Sequence, residues 1–147
     1  EITRVRQMVL NHMRPGQLVS GSRGRPSRRE IYRFFHDADP SGLEVILLSL
    51  ADHLATRGGR PHPVHWQWHL ALSAALLHAY HEHYEDIVAP TPLVDGNELM
   101  QALDLRPGPE VGGLLDIIRE AQAAGEVRSR EDALALAQEV LEKGGPL

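Results

Sequence analysis

Three arginines recur at every fourth position near the start of the chain, where they could bind phosphate groups. Arg25, Arg29 and Arg33 would share one face of a helix. Ile31 and Phe35 would lie on its opposite, packed side. Such a row of guanidinium groups suits the backbone of a nucleic acid, which it contacts without reading the bases. On spacing alone, a solvated basic face is an equally good interpretation.

The charge distribution along the chain favours a polyanionic partner at one surface. Residues 1–33 contain eight arginines and two acids, a net charge of +6. Residues 34–147 carry −11, so the whole chain has a net charge of −5. A basic end on an acidic body is typical of proteins that contact polyanions, although charged loops that only aid solubility are more common.

The stretch "DLRPGPEVGGLL" at 104–115 could hold a second phosphate-binding feature. Gly108 can serve as the N-cap of a helix in which Pro109 is the first residue. Gly112 and Gly113 remove side chains from the next turn and would let another backbone approach closely. Free amides, the helix dipole and Arg106 together suit a phosphate, while tight packing between helices explains the same residues equally well.

Some histidines and aspartates have an order that could indicate a metal site. His12, the dipeptide His36-Asp37 and Asp52 follow the order of ligands in the HD superfamily of metal-dependent phosphohydrolases. His36-Asp37 falls at a predicted helix end, however, and the separations are short for ligands on different helices. A structural role for Asp52, paired with an arginine or a helix end, is the favoured alternative.

The remaining histidines cluster around residues 62–83. His65 and His69 share a helical face and could chelate zinc, but no third ligand accompanies them locally. We therefore expect these histidines to lie at the polar border of a helix.

Composition excludes several classes of protein. The chain has 147 residues and no cysteine, which rules out disulfides and thiolate chemistry. No apolar run reaches the roughly 18 residues of a membrane helix, and no P-loop or serine-hydrolase motif is present. We expect a cytoplasmic protein without a membrane partner.

The elements that would position these residues are all helical. The pattern predicts about seven α-helices, in a bundle-like body followed by a small three-helix tail. After a first helix and a loop at 14–26, the predicted helices are 28–38, 42–57, 65–88, 96–104, 109–124 and 130–142. Four of them begin with a capping pair: Ser27 and Glu30, Ser41 and Glu44, Asp95 and Glu98, and Ser129 and Asp132.

Two predicted helices define the core of the body. Helix 42–57 is apolar nearly all round and should be buried centrally. In helix 65–88 we expect the core stripe to consist of Leu70, Leu77, Tyr80, Tyr84 and Ile87. Segment 89–94 is the best candidate for a linker, which divides the chain into a body, 1–88, and a tail, 89–147.

Three segments together resemble a known family. "PSRREIYRFFHDAD", "LLSLADHLATRG" and "LVDGNELMQALDLRPGPEVGGLLDIIREAQAAGEVRSREDALALA" are similar to the C-terminal half of bacterial tRNA nucleotidyltransferases of the poly(A) polymerase family. The resemblance covers nearly the whole chain. It implies that 1–88 is the latter part of an HD-like domain and that 89–147 is a tail that binds tRNA.

The resemblance also implies what this chain lacks. In that family an N-terminal head carries the two metal-binding aspartates, and Mg²⁺ belongs to that head. The chain begins without an initiator Met or an N-cap, so we expect a fragment that has no cofactor and is inactive alone. His12 and Asp52 would be remnants of an HD site.

Two hypotheses follow from the sequence. The first is an RNA-binding portion of a tRNA nucleotidyltransferase that contacts tRNA, or another RNA backbone, and the head of its parent protein. The second is a fragment of an HD-type metal-dependent phosphohydrolase with His12 and Asp52 as ligands. The sequence does not indicate an oligomeric state, or whether the parent adds CCA, A alone or a poly(A) tail.

Overall fold

A computed structural model describes residues 2–146, apart from the side chain of Ser20, as a helical protein. The predicted start of the first helix at Glu1 lies outside the described residues. Within them there are eight α-helices and one π-helical turn, which confirms the all-α prediction and adds one helix to it. They are α1 (Ile2–Asn11), α2 (Arg14–Ser22), α3 (Arg28–Ala38), α4 (Gly42–Ala55), α5 (Pro63–Glu82), the π-helical turn (Tyr84–Val88), α6 (Gly96–Leu103), α7 (Pro109–Ala124) and α8 (Arg130–Glu142).

The additional helix, α2, corrects the prediction of a loop at 14–26. Pro15 occupies the first turn of α2, where its missing amide costs no hydrogen bond. Val19 is buried among residues of α3, α4 and α5, and Leu18 packs against the same cluster. This packing offsets the low helix propensity of the two glycines inside α2. From the sequence pattern alone, these glycines indicated a loop.

Hydrophobic side chains form two clusters. The first draws on α2 to α5 and the π-helical turn, and its most enclosed members include Phe34, Ile46, Leu72 and Leu76. The second draws on α6, α7 and α8 around Leu99, Leu114 and Ile118. The predicted division of the chain at 88 falls between the clusters, and whether the two parts fold separately stays a prediction.

Three of the four predicted capping boxes are present. Ser27, Asp95 and Ser129 each accept a hydrogen bond from the backbone amide three residues later, and the acid at that position accepts from the amide of the cap. Ser41 does not cap α4 in this way. Its hydroxyl donates to the carbonyl of Arg4 in α1 (3.3 Å), so this buried side chain ties two helices together.

The predicted burial of the two body helices is confirmed only in part. Helix α4 buries Gly42, Val45, Ile46 and Ser49, whereas Leu47 on its other side is 62% exposed. The helix therefore carries more apolar side chains than its neighbours α1, α2, α3 and α5 cover.

The predicted stripe of helix 65–88 is confirmed in part, because Ile87 is buried and Leu77 and Tyr80 pack against the first cluster. The buried residues of α5 are His69, Leu72, Ser73, Leu76 and Ala79. Leu70 and Tyr84, both predicted to be core residues, are exposed. Apolar residues surround this helix, so tertiary packing and not periodicity selects the buried face.

Candidate nucleic-acid interface

Two of the three arginines in the predicted basic row pair with acids from the second half of the chain. Arg33 donates from Nε and Nη2 to the two carboxylate oxygens of Glu120 on α7, at 2.8 and 2.7 Å. Arg29 reaches Glu120 through Nε (2.9 Å) and Glu126 through Nη2 (2.8 Å). These four residues, here called the α3–α7 network, fix α3 against α7.

The network shifts the pKa values of its members in opposite directions. Hydrogen bonding by Arg33 holds the pKa of Glu120 below its usual value, against a smaller opposing effect of burial, and the charges of both arginines add to the shift. The hydrogen bond to Glu120 raises the pKa of Arg33. Two cations and two anions thus compensate each other, and this part of the basic row carries little net charge.

Arg28 makes a further connection between the two halves that the sequence did not predict. Its Nε donates to the carbonyl of Ala123 (2.8 Å) in the last turn of α7. Its Nη2 donates to the carbonyl of Asp86 (3.2 Å) in the π-helical turn. Carbonyls near a helix C-terminus lack partners within the helix, so a guanidinium group satisfies them well. The sequence signal that could have indicated this contact is an arginine in the first turn of α3, at the position before Arg29 of the basic row.

Arg25 remains exposed before the start of α3. No ion pair is found for its side chain in the described part of the chain. Within the predicted row it is therefore the guanidinium group most accessible to an external phosphate.

The second predicted feature lies at the other end of α7. That helix has 16 residues and is about 24 Å long at about 1.5 Å per residue. Arg28 contacts its C-terminal end, whereas Gly108 precedes its N-terminal end, with extended backbone (φ 174°, ψ 178°). The structure therefore does not gather the predicted RNA contacts into one compact site. It spreads them along α7.

The glycines in this turn have different surroundings. A Cβ on Gly112 would meet no atom within 4 Å, so this position is open to an external group. A Cβ on Gly113 would lie 2.8 Å from Pro146, so this glycine makes room for the end of the chain. Arg106 and Gly108 are exposed beside this opening. Packing thus accounts for Gly113 but not for Gly112.

The residues proposed as remnants of a metal site occupy separate environments. His12 Nδ1 lies 2.6 Å from the carbonyl oxygen of Val9, to which it donates a hydrogen bond when that nitrogen carries the proton. Asp52 lies half-buried on α4. No hydrogen bond or ion pair joins these two side chains within the described residues.

His36 and Asp37 do sit side by side at the end of α3, with Nδ1 and Oδ1 at 3.4 Å. Burial acts to raise the pKa of Asp37, but hydrogen bonds from Arg14 and His36 outweigh it and hold the pKa below its usual value. The ion pair with Arg14 links α2 to α3. Between residues 2 and 146, no three His, Asp or Glu side chains come together as a possible metal site.

His69 corrects the expectation that the clustered histidines lie at a polar border. It is 3% exposed, and its Nε2 lies 2.9 Å from the hydroxyl of Ser49 on α4. The ring of His53 lies beside it, with centroids 4.9 Å apart, and stacks on Trp66. His62 and His65 do remain exposed, in contact with each other.

No helix in the described part of the chain has the length and apolarity needed to cross a membrane.

Comparison with known proteins identifies homologues over most of the chain. It is 34% identical over 134 residues to the CC-adding tRNA nucleotidyltransferase of Thermus thermophilus, a match that covers 91% of this chain and 27% of the relative. It is 36% identical over 107 residues to the A-adding tRNA nucleotidyltransferase of Deinococcus radiodurans, which covers 72% of this chain and 24% of the relative. A CC-adding tRNA nucleotidyltransferase from Synechocystis is 30% identical over 115 residues, 78% of this chain and 25% of the relative.

These matches confirm the predicted resemblance to the tRNA nucleotidyltransferases. The chain spans about a quarter of the length of the curated relatives that it matches. No family model matches the chain, and no solved structure matches it.

Proposed function

We propose that this chain, which is homologous to part of the tRNA nucleotidyltransferases, is the tRNA-binding C-terminal portion of such an enzyme. The observation that carries the proposal is the 34% identity to a CC-adding tRNA nucleotidyltransferase over 91% of the chain. The chain covers about a quarter of that relative, so we assign the transfer of nucleotides, and the Mg²⁺ it requires, to a head elsewhere in the parent protein. The role assigned to this portion is to hold the RNA.

The arrangement of the predicted contacts favours an extended RNA backbone as the ligand. Arg28, three residues after Arg25, contacts the C-terminal end of α7, and Arg106, Gly108 and Gly112 lie at the other end of this helix, which is about 24 Å long. A folded RNA presents phosphates continuously over such a distance, whereas a small anion could occupy one end only. Backbone contacts of this kind position an RNA without reading its sequence.

The two ends would bind phosphates by different means. Arg25 offers an exposed guanidinium group, and Arg106 does the same beside the start of α7. At Gly108 the free amides and the dipole of α7 would add an uncharged contribution. Arg29 and Arg33 have side chains that are 40% and 61% exposed, and they keep N–H donors beyond those bound to Glu120 and Glu126, so they are proposed as secondary contacts.

The parent protein's head, or another part of it, is the second proposed partner, and α1 is its proposed contact. Ile2, Val5, Val9 and Leu10 line a shallow apolar groove on this helix and are each more than half exposed. Leu47 is a further exposed apolar side chain on α4, the helix against which α1 packs. Apolar surfaces of this kind mark sites of protein contact.

Binding of tRNA by the purified chain tests this proposal. We expect Arg25→Gln, Arg106→Gln and Gly108→Val each to weaken tRNA binding at low salt. Valine is tolerated at Gly108 because that backbone is extended and a Cβ there would meet only the carbonyl of Arg106, at 4.0 Å.

Arg60→Gln is the matched control, because Arg60 is an exposed arginine in the loop between α4 and α5, away from both ends of α7. If the three variants bind as the control does, the assigned surface is wrong. If the unmodified chain fails to bind tRNA, the function itself is wrong.

A further inference from the structure

All three tyrosines of the chain line one cleft where the body meets α7. Tyr32 comes from α3, Tyr80 from α5 and Tyr84 from the π-helical turn. The cleft has a volume of about 500 Å³, within the range of about 300–1,000 Å³ that is usual for small-ligand sites. None of the residues assigned above as RNA contacts lines it.

The aromatic rings of Phe35, Tyr80 and Tyr84 form a wall of the cleft, and Tyr32 and His36 form a separate ring pair. Tyr80 lies 5.5 Å from Phe35 and 5.2 Å from Tyr84, measured between ring centroids, and Tyr32 lies 5.6 Å from His36. Tyr84 at the end of this wall is 45% exposed, so its ring is available to a further partner. Gly42 makes the wall possible, because a Cβ there would come within 2.6 Å of the Phe35 ring.

Polar groups of both charges surround the wall. Arg4 and Arg119 contribute guanidinium groups, and Asp39 and Glu44 contribute carboxylates. Arg119 lies 3.4 Å from Asp116, so part of its charge is already compensated. This balance disfavours a ligand with several negative charges. It suits a flat, uncharged ring that carries both hydrogen-bond donors and acceptors.

The π-helical turn forms part of the lining of the cleft. The chain leaves α5 at His83 and takes the wider turn Tyr84–Val88, which places Tyr84 and Val88 on the cleft side. Turns of this type within helical segments occur frequently at functional sites.

From these observations we infer that the cleft holds one unstacked base of the bound RNA against the tyrosine rings. Bases in loops and at the ends of RNA can leave their stack and pack on aromatic side chains, with their edges free for hydrogen bonds. The inference rests on the proposed function, because it takes its ligand class from the tRNA. It adds a contact to a base, whereas the surface along α7 contacts the backbone.

Selective isotope labelling of tyrosine provides a direct test, because every tyrosine signal then reports on this cleft. We expect tRNA to shift the ring resonances of Tyr80 and Tyr84 in NMR spectra. Stacking on one base is worth about 1–3 kcal/mol, so Tyr84→Leu should weaken tRNA binding by about fivefold or more. Tyr84→Phe keeps the ring and should bind within about twofold of the unmodified chain.

Two results would overturn the inference while leaving the proposed function intact. One is tRNA binding without any shift of the tyrosine signals. The other is equal binding by Tyr84→Leu and Tyr84→Phe, with both variants shown by circular dichroism to be folded. If the chain does not bind tRNA at all, titration with the uncharged nucleosides adenosine and cytidine decides the matter. Saturable shifts of the tyrosine signals would support a base-binding cleft, and unchanged signals would overturn it.

Discussion

His53 and His69 are the histidines whose surroundings most oppose a positive charge. Burial lowers the pKa of His69, and the neighbouring His53 and Arg57 lower it further. Burial also lowers the pKa of His53, whose Nε2 is enclosed without a hydrogen-bond partner in the described structure. Both rings are therefore neutral in the folded protein at pH values where they would be protonated in the unfolded chain.

Stability should consequently fall as the pH drops below about 6.5, the usual pKa of histidine in an unfolded chain. The unfolded state takes up more protons in this range than the folded state does, which favours unfolding. We expect the Tm to decrease between pH 7.5 and pH 5. Asp37 and Glu120 have lowered pKa values, so the stability that they contribute is lost as the pH falls. Because their usual pKa values are 3.8 and 4.5, this loss occurs mainly below the range in which the histidines act.

The double variant His53→Gln/His69→Gln identifies the source of this effect. It should be less stable than the unmodified chain at pH 7.5, because His69 loses its packing beside Ser49, but its Tm should change little down to pH 5. An equal decrease of Tm in both proteins would show that other groups cause the acid sensitivity.

Arg25 and Arg33 differ in their surroundings, and their substitution should affect RNA binding differently. A phosphate contact contributes about −0.7 to −0.9 to the slope of log affinity against log salt. We expect Arg25→Gln to flatten the slope by about that amount, because its side chain has no internal partner in the described structure. Arg33→Gln should flatten it less, because Glu120 already compensates the charge.

Filter-binding or fluorescence titrations of tRNA between low and moderate salt would measure both slopes. A larger change for Arg33→Gln than for Arg25→Gln would mean that RNA displaces Glu120 and that Arg33 is a main contact. Spacing predicted all three arginines on one face of a helix, but only Arg29 and Arg33 lie on α3, and Arg25 precedes it. The acids that engage Arg33 and Arg29 lie 87 and 97 residues further along the chain, where no local pattern connects them to α3.

At the scale of the elements, the α3–α7 network joins the two hydrophobic clusters. Glu120 receives both arginines, so Glu120→Gln should destabilise the protein more than the loss of an ordinary surface pair does. Ordinary surface ion pairs contribute about 0–1 kcal/mol to stability. Because both arginines are partly exposed, we expect Glu120→Gln to lower the free energy of unfolding by about 1 kcal/mol, the upper end of that range.

Asp116→Asn is a suitable control, because Asp116 lies one turn away on α7 and pairs with Arg119 alone at an exposed position. Urea unfolding at pH 7 would compare the two variants. The difference between Glu120→Gln and the unmodified chain should shrink below about pH 4.5, since the lowered pKa of Glu120 means that its contribution is lost as the pH falls. Equal stability of both variants at pH 7 would show that the network does not hold the halves together.

The adjacent glycines of α7 provide a second comparison at this scale. Alanine in place of a glycine inside a helix usually stabilises it by about 0.5–1 kcal/mol. Gly112→Ala should do so, because its Cβ would meet open space. Gly113→Ala should gain less or lose stability, because its Cβ would press on Pro146. Thermal unfolding would measure both, and a larger gain for Gly113→Ala would contradict the packing described here.

Local signals predicted the helices better than their packing. Capping boxes at Ser27, Asp95 and Ser129 fixed three helix starts, because side chain and backbone amides there lie within a few residues. Helix α2 was missed because its stability comes from burial of Val19 among helices distant in sequence. The inward face of helix 65–88 was predicted only in part for the same reason, since leucines occupy both sides of α5.

For the molecule as a whole, the all-helical class and the resemblance to tRNA nucleotidyltransferases were predictable from the sequence. Two features of the candidate site were not. The spread of its residues along α7 depends on how α3 lies against that helix, and the tyrosine cleft gathers residues from α3, α5 and the π-helical turn. Both arise from contacts between distant segments, which composition and spacing do not record.

The measurement that tests the central claim most directly is the affinity of the purified chain for folded tRNA and for duplex DNA of similar length, each determined across a series of salt concentrations. Binding through the RNA backbone and one unstacked base predicts a preference for tRNA at every salt concentration. It also predicts an affinity that falls steeply as salt increases, with little dependence on which tRNA is used. Equal affinity for tRNA and duplex DNA, or no binding of tRNA at low salt, would contradict the account.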